Sequence, residues 1–196
     1  DQEFVPILAK DFVAGAVSHF SLYVRTTSGR YIKVLHANDT FDPERVTSYL
    51  KKGVQFFHIR KEDQENYLLF SQKISSNLIH TGQYSIGLQA THTLKYGQET
   101  MKYLNQIGVS ESRLHHAMNF SENMQAVATK MAEQNETLNA LLTDIECYEH
   151  SVSISMLTSL VAHASGIESQ QAVNRVGVAS LFHDVALPGT PAGLEY

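Results

Sequence analysis

Residues 148–184 read YEHSVSISMLTSLVAHASGIESQQAVNRVGVASLFHD, and this stretch decides which fold the C-terminal part of the chain can have. Apolar residues recur at helical spacing on both sides of Gly166, which predicts one helix before this glycine and another after it. A helix, a turn and a returning helix can bring the start of the first helix close to the end of the second. We therefore expect His150, His183 and Asp184 to lie together.

These three side chains are of the types that bind metal ions. Neutral imidazole nitrogens and carboxylate oxygens are good ligands for first-row divalent metals. Adjacent His183 and Asp184 supply one nitrogen and one oxygen ligand, and an aspartate can also bridge two ions about 3.5–4 Å apart. Two interpretations stay open on this basis: a metal site at His150, His183 and Asp184, or a helix cap and a hydrogen-bonded pair without metal.

The surrounding residues resemble a known family. The segments Tyr148-Glu149-His150-Ser151 and Leu181-Phe182-His183-Asp184 look like the opening of the HD-GYP family, within the HD superfamily of metal-dependent phosphohydrolases. That family begins its helical core with a His-Ser dipeptide, and about one helix-turn-helix later it has a Leu-Leu-His-Asp-Ile-Gly-Lys type motif. The resemblance covers about residues 120–190.

The resemblance implies an all-α domain with a centre of one, two or three metal ions. It implies a cyclic dinucleotide phosphodiesterase of bacterial second-messenger signalling, with cyclic di-GMP as the chief substrate. It also implies His150, His183 and Asp184 as metal ligands. Asp184 would be the catalytic residue and the bridging ligand of a di-iron or manganese centre.

The sequence departs from the family pattern in three places. Ala186 and Leu187 replace the Gly-Lys that follows His-Asp, and Ser153 stands where the family commonly has arginine. The chain ends at Tyr196, before the family's later histidine ligands and its Gly-Tyr-Pro motif, so we expect the HD-type domain to be incomplete here. The loss of lysine at Leu187 favours an alternative function, a catalytically weak or inactive signalling scaffold that binds nucleotide or protein partners.

The part of the chain before this region has a mixed pattern of strands and helices. We expect an α+β regulatory or sensor domain over residues 1–115, followed by the start of the all-α HD-type domain over residues 116–196. The predicted strands are 4–8, 20–24, 31–35 and 54–59. The predicted helices are 43–52, 65–79, 91–107, a short piece capped at Ser110 or Ser112, a long helix that begins at Ser121, 150–164 and 168–182.

Composition limits the partners and the compartment. The net charge of −5 shows no basic excess of the kind that favours binding to nucleic acid or an anionic membrane. Cys147 is the single cysteine, so no intramolecular disulfide can form and the chain suits a reducing compartment. No apolar run is long enough to span a membrane and no signal peptide pattern is present, so we expect a cytoplasmic protein. The long helices make a homodimer plausible.

The other histidines and Cys147 are weaker candidates for a site. His115 and His116 are adjacent on a predicted helix and point about 100° apart, which predicts a surface or interface role for the pair. His163 is expected near the C-terminal end of its helix, where the dipole favours a cation. Cys147 is expected to be a buried, inert thiol.

Overall fold

The computed structural model describes residues 3–108, 110–133, 149–167 and 169–184. The chain divides into two compact units, one of which ends at Ile74 while the other begins at Ser75. The predicted fold class is confirmed, since a small antiparallel sheet comes first and helices follow it. Within the described residues, no helix is long and apolar enough to cross a membrane.

The first unit is built on two antiparallel sheets. Its strands are β1 (Phe4–Leu8), β2 (Val17–Ser18), β3 (Leu22–Arg25), β4 (Tyr31–Leu35), β5 (Asp39–Thr40) and β6 (Phe56–Arg60), with helix α1 (Pro43–Lys51) between β5 and β6. The larger sheet has the order β1-β6-β3-β4, and β2 pairs with β5. Pro6 lies on the edge strand β1, where the N–H that proline lacks is not needed for sheet pairing.

One face of the larger sheet carries the core of this unit. Successive side chains of a strand point to opposite faces, so Phe57 and Ile59 of β6 are both fully buried on the same side. The first part of helix α2 (Gln64–Thr81) contributes Tyr67 and Phe70 to this core. The remaining buried members include Ile7, Ala9, Phe12, Phe20, Leu22, Leu35, Phe41 and Val46.

The second unit is helical. Its helices include α3 (Ile86–Ile107), α4 (Glu111–Glu133), α5 (His150–Ala164) and α6 (Gln170–Phe182). The predicted helix over 150–164 has the bounds of α5, and the predicted helix over 168–182 contains α6. The core of this unit includes Ala90, Leu94, Tyr96, Met101, Phe120, Met124, Val127, Val152, Met156 and Leu181.

Small residues let these helices approach closely. A Cβ placed on Gly97 of α3 would lie 2.5 Å from a ring carbon of Phe120 on α4. A Cβ placed on Gly177 of α6 would lie 2.4 Å from the Oγ of Ser121 on α4. Real Cβ atoms do not come this close to carbon or oxygen, so glycine is required for the observed packing at Gly97, whereas at Gly177 a Cβ would force the Ser121 hydroxyl to rotate away.

The prediction that a new helix begins at Ser121 is wrong. Helix α4 runs without a break from Glu111 to Glu133, and Ser121 is buried in its interior. The Ser121 hydroxyl donates a hydrogen bond to the carbonyl of Asn174 on α6, at 3.2 Å, so it joins two helices and caps none. The rest of the predicted helix, with Leu138 and Leu141, lies outside the described residues.

The prediction of a surface or interface role for the His115-His116 pair is wrong for His116, which is buried within the helical unit. His115 is exposed, whereas His116 is only 3% exposed and its Nδ1 lies 2.8 Å from the hydroxyl of Tyr96. The same hydroxyl donates to the carbonyl of His116 at 3.0 Å, so Nδ1 carries the hydrogen that completes the pair of bonds. The side chain of His116 is thus part of the contact between α3 and α4.

The division between compact units lies upstream of the predicted domain boundary at residues 115 and 116. Helix α3 packs against α4, and the buried side chains of both belong to the core of the second unit. The two compact units are defined by the packing of the chain alone. The predicted division into a regulatory domain and an HD-type domain concerns function and stays a prediction.

Candidate metal centre

The first of the predicted ligands stands at a helix N-terminus. His150 is the first residue of α5, and Glu149 precedes it as the N-cap. The Glu149 carboxylate accepts a hydrogen bond from the backbone N–H of Val152 at 3.3 Å. The same N–H also lies 3.1 Å from the backbone carbonyl of Glu149, so the carboxylate shares this donor and interacts favourably with the positive end of the helix dipole. The cap therefore fixes where α5 begins and where His150 is held.

The other two predicted ligands lie just after the C-terminus of a helix. His183 and Asp184 follow directly after Phe182, the last residue of α6. Hydroxyl groups join α5 to α6: Ser155 donates to the carbonyl of Gly177 at 2.8 Å, and Ser180 donates to the hydroxyl of Thr158 at 3.1 Å. Buried apolar side chains complete the contact between the two helices, namely Val152, Met156, Val173 and Leu181.

The structure brings the three predicted ligands together. The Nε2 of His183 lies 2.9 Å from the Oδ2 of Asp184, and the Nε2 of His150 lies 4.0 Å from the same oxygen. The two imidazole rings have their centroids 5.4 Å apart. Each residue offers one ligand atom, and these atoms all lie within 4.8 Å of one another. The three side chains therefore lie together as predicted from the sequence, although His150 and His183 are 33 positions apart in the chain.

A backbone hydrogen bond sets the tautomer of His183. Its Nδ1 lies 2.7 Å from the carbonyl oxygen of Ser180. A carbonyl can only accept, so Nδ1 carries a hydrogen and, in the neutral ring, Nε2 presents its lone pair. Metal-binding histidines are commonly oriented in this way by a bond from their second ring nitrogen.

The arrangement of these atoms fits a divalent cation. The Nε2 lone pair of neutral His183 and the Oδ2 of Asp184 are both acceptors, and they would repel each other at 2.9 Å unless a proton or a metal ion lay between them. Two adjacent ligands of an octahedral ion, each about 2.1 Å from it, lie about 3.0 Å apart. The separation of these two atoms fits a shared ion, and it equally fits a hydrogen bond from a protonated imidazole to the carboxylate.

The cluster is open to solvent on the described part of the chain. The side chains of His150, His183 and Asp184 are 64%, 37% and 40% exposed, respectively. Three protein ligands leave coordination positions for water or substrate on an octahedral ion. The two-histidine, one-carboxylate set is thus suited to binding an exchangeable oxygen ligand, such as water or a phosphate oxygen.

The weaker histidine candidates lie apart from this cluster. His163 lies in the last turn of α5 and is exposed, as its predicted place near a helix C-terminus requires. Cys147, Ala186 and Leu187 fall outside the described residues.

The sequence analysis did not identify two groups that support the cluster, the carboxylate of Glu149 and the carbonyl of Ser180. Glu149 was readable as an acidic residue just before a helix, but the carbonyl bond depends on how the chain leaves α6.

Comparison with known proteins gives one informative likeness. No family model and no curated protein matches the chain. Among solved structures, the chain is similar to Bd1817, an HDG"Y"P protein from Bdellovibrio bacteriovorus, with a TM-score of 0.55 over 96% of this chain at 17% identity. The match covers 63% of the length of Bd1817. The chain therefore has an HD-GYP-like fold, and the likeness at this identity concerns the fold alone.

Proposed function

We propose that the intact protein is a metal-dependent phosphodiesterase of the HD-GYP type, acting on cyclic di-GMP or a related cyclic dinucleotide in bacterial signalling. The observation that carries this proposal is the convergence of His150, His183 and Asp184 within 4.8 Å on two helices of an HD-GYP-like fold. The N-terminal α+β unit would regulate the activity, and homodimers and signalling proteins are the partners we expect.

Each residue of the cluster has a role in this proposal. A divalent ion bound at the cluster, either iron or manganese, would polarise a phosphate and lower the pKa of a bound water. His150 and His183 would hold the ion with their Nε2 atoms, and Asp184 would hold it through its carboxylate. The Ser180 carbonyl would hold the hydrogen of the neutral His183 ring on Nδ1, which leaves the lone pair on Nε2, and the Glu149 cap would support the start of the helix that carries His150.

A catalytically inactive signalling scaffold is the second candidate function. The feature that favours it is Leu187, which stands where the family has the lysine that faces the phosphate. A scaffold would bind nucleotide or protein partners without turnover. The three ligand residues favour the enzyme, because a scaffold does not require two imidazoles and a carboxylate around one point.

Hydrolysis of cyclic di-GMP by the intact, metal-reconstituted protein tests the proposal. The wild type should release linear product, and Asp184→Asn, which keeps the shape of the side chain but removes its charge, should lower the rate at least about 100-fold, as expected for loss of a metal ligand. His115→Gln is the matched control, since His115 is exposed and lies outside the cluster, and its rate should equal that of the wild type. Turnover that survives Asp184→Asn would refute the assignment of the site, and absence of turnover in a metal-loaded wild type would favour the scaffold.

A further inference from the structure

The four-stranded sheet of the first unit has a second face, opposite its core. Because strand side chains alternate, His58 points away from the side on which its neighbours Phe57 and Ile59 are buried. The register places His58 opposite Tyr23 of β3, and Tyr23 opposite Lys33 of β4. We call this side the outer face; it includes Phe4, Tyr23, Arg25, Tyr31, Lys33, His58 and Arg60, and the same register places Pro6, Leu8 and Phe56 on it.

Aromatic rings cover the centre of the outer face. Phe4 and Tyr31 are stacked, with centroids 4.0 Å apart and an interplanar angle of 11°. Phe4 also meets the ring of Tyr23 edge-on at 5.0 Å, and Tyr31 meets His58 edge-on at 5.0 Å. Phe4 and Tyr31 are both half-buried, so this platform of rings keeps part of its surface accessible to solvent.

Cationic side chains surround these rings. The guanidinium carbon of Arg25 lies 5.9 Å from the centroid of Tyr31, and the Nζ of Lys33 lies 5.6 Å from the centroid of Tyr23. Within the described residues, neither Arg25 nor Lys33 has a carboxylate partner. These two exposed cations give the outer face positive charge that no carboxylate of the described residues pairs with.

The third cation of the outer face is already neutralised. The side chain of Tyr23, followed by that of Glu62, raises the pKa of Arg60. Its guanidinium nitrogens lie 3.3 Å from Glu62 and 4.0 Å from Glu3. Arg60 is thus held in place by its own carboxylates, which leaves Arg25 and Lys33 as the cations available to an anion from solution.

The first unit is nearly neutral, whereas the rest of the chain is acidic. Residues 1–74 have ten Lys and Arg side chains and nine Asp and Glu side chains, whereas residues 75–196 have five and eleven. Beneath these rings, the Nδ1 of His58 is buried and has no hydrogen-bond partner within the described residues. Burial, and then the charge of Arg25, lower the pKa of His58, so its ring is neutral at neutral pH and Nδ1 remains able to form a hydrogen bond.

We propose that the outer face binds a purine nucleoside monophosphate, or a ligand that presents the same chemistry, with its phosphate at Arg25 and Lys33 and its base against the aromatic rings. A phosphate monoester has a charge of about −1.5 to −2 at neutral pH, which matches the two unpaired cations. Planar bases stack on aromatic rings and on guanidinium groups, and Arg and Lys bind phosphate through charge-assisted hydrogen bonds. This site is made entirely by the first unit and does not depend on the proposed enzymatic function.

Calorimetric titration of the intact protein tests this proposal, with GMP, AMP, guanosine and inorganic phosphate as the probes. The monophosphates should bind more tightly than guanosine or phosphate alone, and their affinity should fall as salt is raised. The double variant Arg25→Gln/Lys33→Gln should weaken GMP binding about tenfold or more, because two charge-assisted bonds are lost. Lys10→Gln, which removes an exposed cation outside the outer face, is the matched control and should bind GMP as the wild type does.

Two further variants separate the possible explanations. Tyr31→Leu should remove the preference for GMP over inorganic phosphate, while Asp184→Asn should leave GMP binding unchanged, since Asp184 belongs to the metal cluster. The proposal fails if neither monophosphate binds, if the double variant binds as tightly as the wild type, or if inorganic phosphate binds as tightly as GMP. An oligothymidylate of fifteen nucleotides that competes with GMP and binds far more tightly would show a single-stranded nucleic acid site in its place.

Discussion

Gly97 on α3 faces the ring of Phe120 on α4 so closely that Gly97→Ala should force the two helices apart. A Cβ at this position would lie 2.5, 2.7 and 2.9 Å from three ring carbons, whereas carbon atoms in favourable contact are about 3.5–4.0 Å apart. The ring cannot turn aside into solvent, because Phe120 is fully buried. The helices must therefore separate by roughly 1 Å, or the ring must leave its preferred rotamer.

The magnitude follows from two opposing effects. Overpacking of a well-packed core costs about 1–3 kcal/mol, and alanine recovers about 1 kcal/mol because it favours helix more than glycine does. The overlap at Gly97 involves three ring carbons of a side chain with no free space, which places the packing cost near the upper end of its range. We expect Gly97→Ala to lower the free energy of unfolding of the helical unit by about 2 kcal/mol.

The control lies on the same helix. A Cβ at Gly87 would meet no heavy atom within 4 Å, so Gly87→Ala should be neutral or should stabilise the unit by up to about 1 kcal/mol. Urea denaturation, combined with hydrogen exchange of the α3 and α4 amides, measures both variants and assigns the change to this unit. If Gly97→Ala is as stable as Gly87→Ala, the close approach of α3 and α4 described here is incorrect.

Three further predictions concern single side chains. Tyr96→Phe removes a hydroxyl that forms hydrogen bonds with both the ring and the carbonyl of His116. It should lower the free energy of unfolding, measured by urea denaturation, by about 1–3 kcal/mol, and a decrease below about 0.5 kcal/mol would contradict the buried hydrogen bonds. Because burial lowers the pKa of His58 in the folded state, the unfolded state binds more protons below about pH 6.5. The wild type should therefore lose stability as the pH falls from 7 to 5, and His58→Gln should lose less; equal slopes of stability against pH would refute this role. Glu149→Ala should cost about 1 kcal/mol and speed hydrogen exchange at the Val152 amide, whereas unchanged exchange there would show that the carboxylate does not cap α5.

The juxtaposition of His150, His183 and Asp184 could be predicted because it depends on features that are local in sequence. Gly166 divides two helical patterns, and a helix that returns after a short turn places His150 near His183 and Asp184 whatever the details of packing. The tautomer of His183 could not be predicted, because it depends on a carbonyl three residues earlier that is free only where α6 ends. The orientation of the ligand thus depends on how the helix terminates, which residue types alone do not specify.

The continuous helix α4 shows where a local signal gives the wrong answer. Ser121 followed by Glu122 has the composition of a helix start, yet Ser121 lies on the face that packs against α6. Burial of its hydroxyl against the Asn174 carbonyl outweighs its preference for a cap position. The burial of His116 was missed for the same reason. His116, Phe120 and Met124 form one buried stripe, and this stripe is continuous only if the helix does not break at Ser121.

The measurement that tests the central claim most directly is elemental analysis of the intact protein and of its Asp184→Asn variant, each after anaerobic reconstitution with iron or manganese. We expect the wild type and the His115→Gln control to retain a divalent metal through gel filtration, and Asp184→Asn to retain much less. A wild type without metal, or an Asp184→Asn variant with the full metal content, would contradict the assignment of His150, His183 and Asp184 as a metal centre.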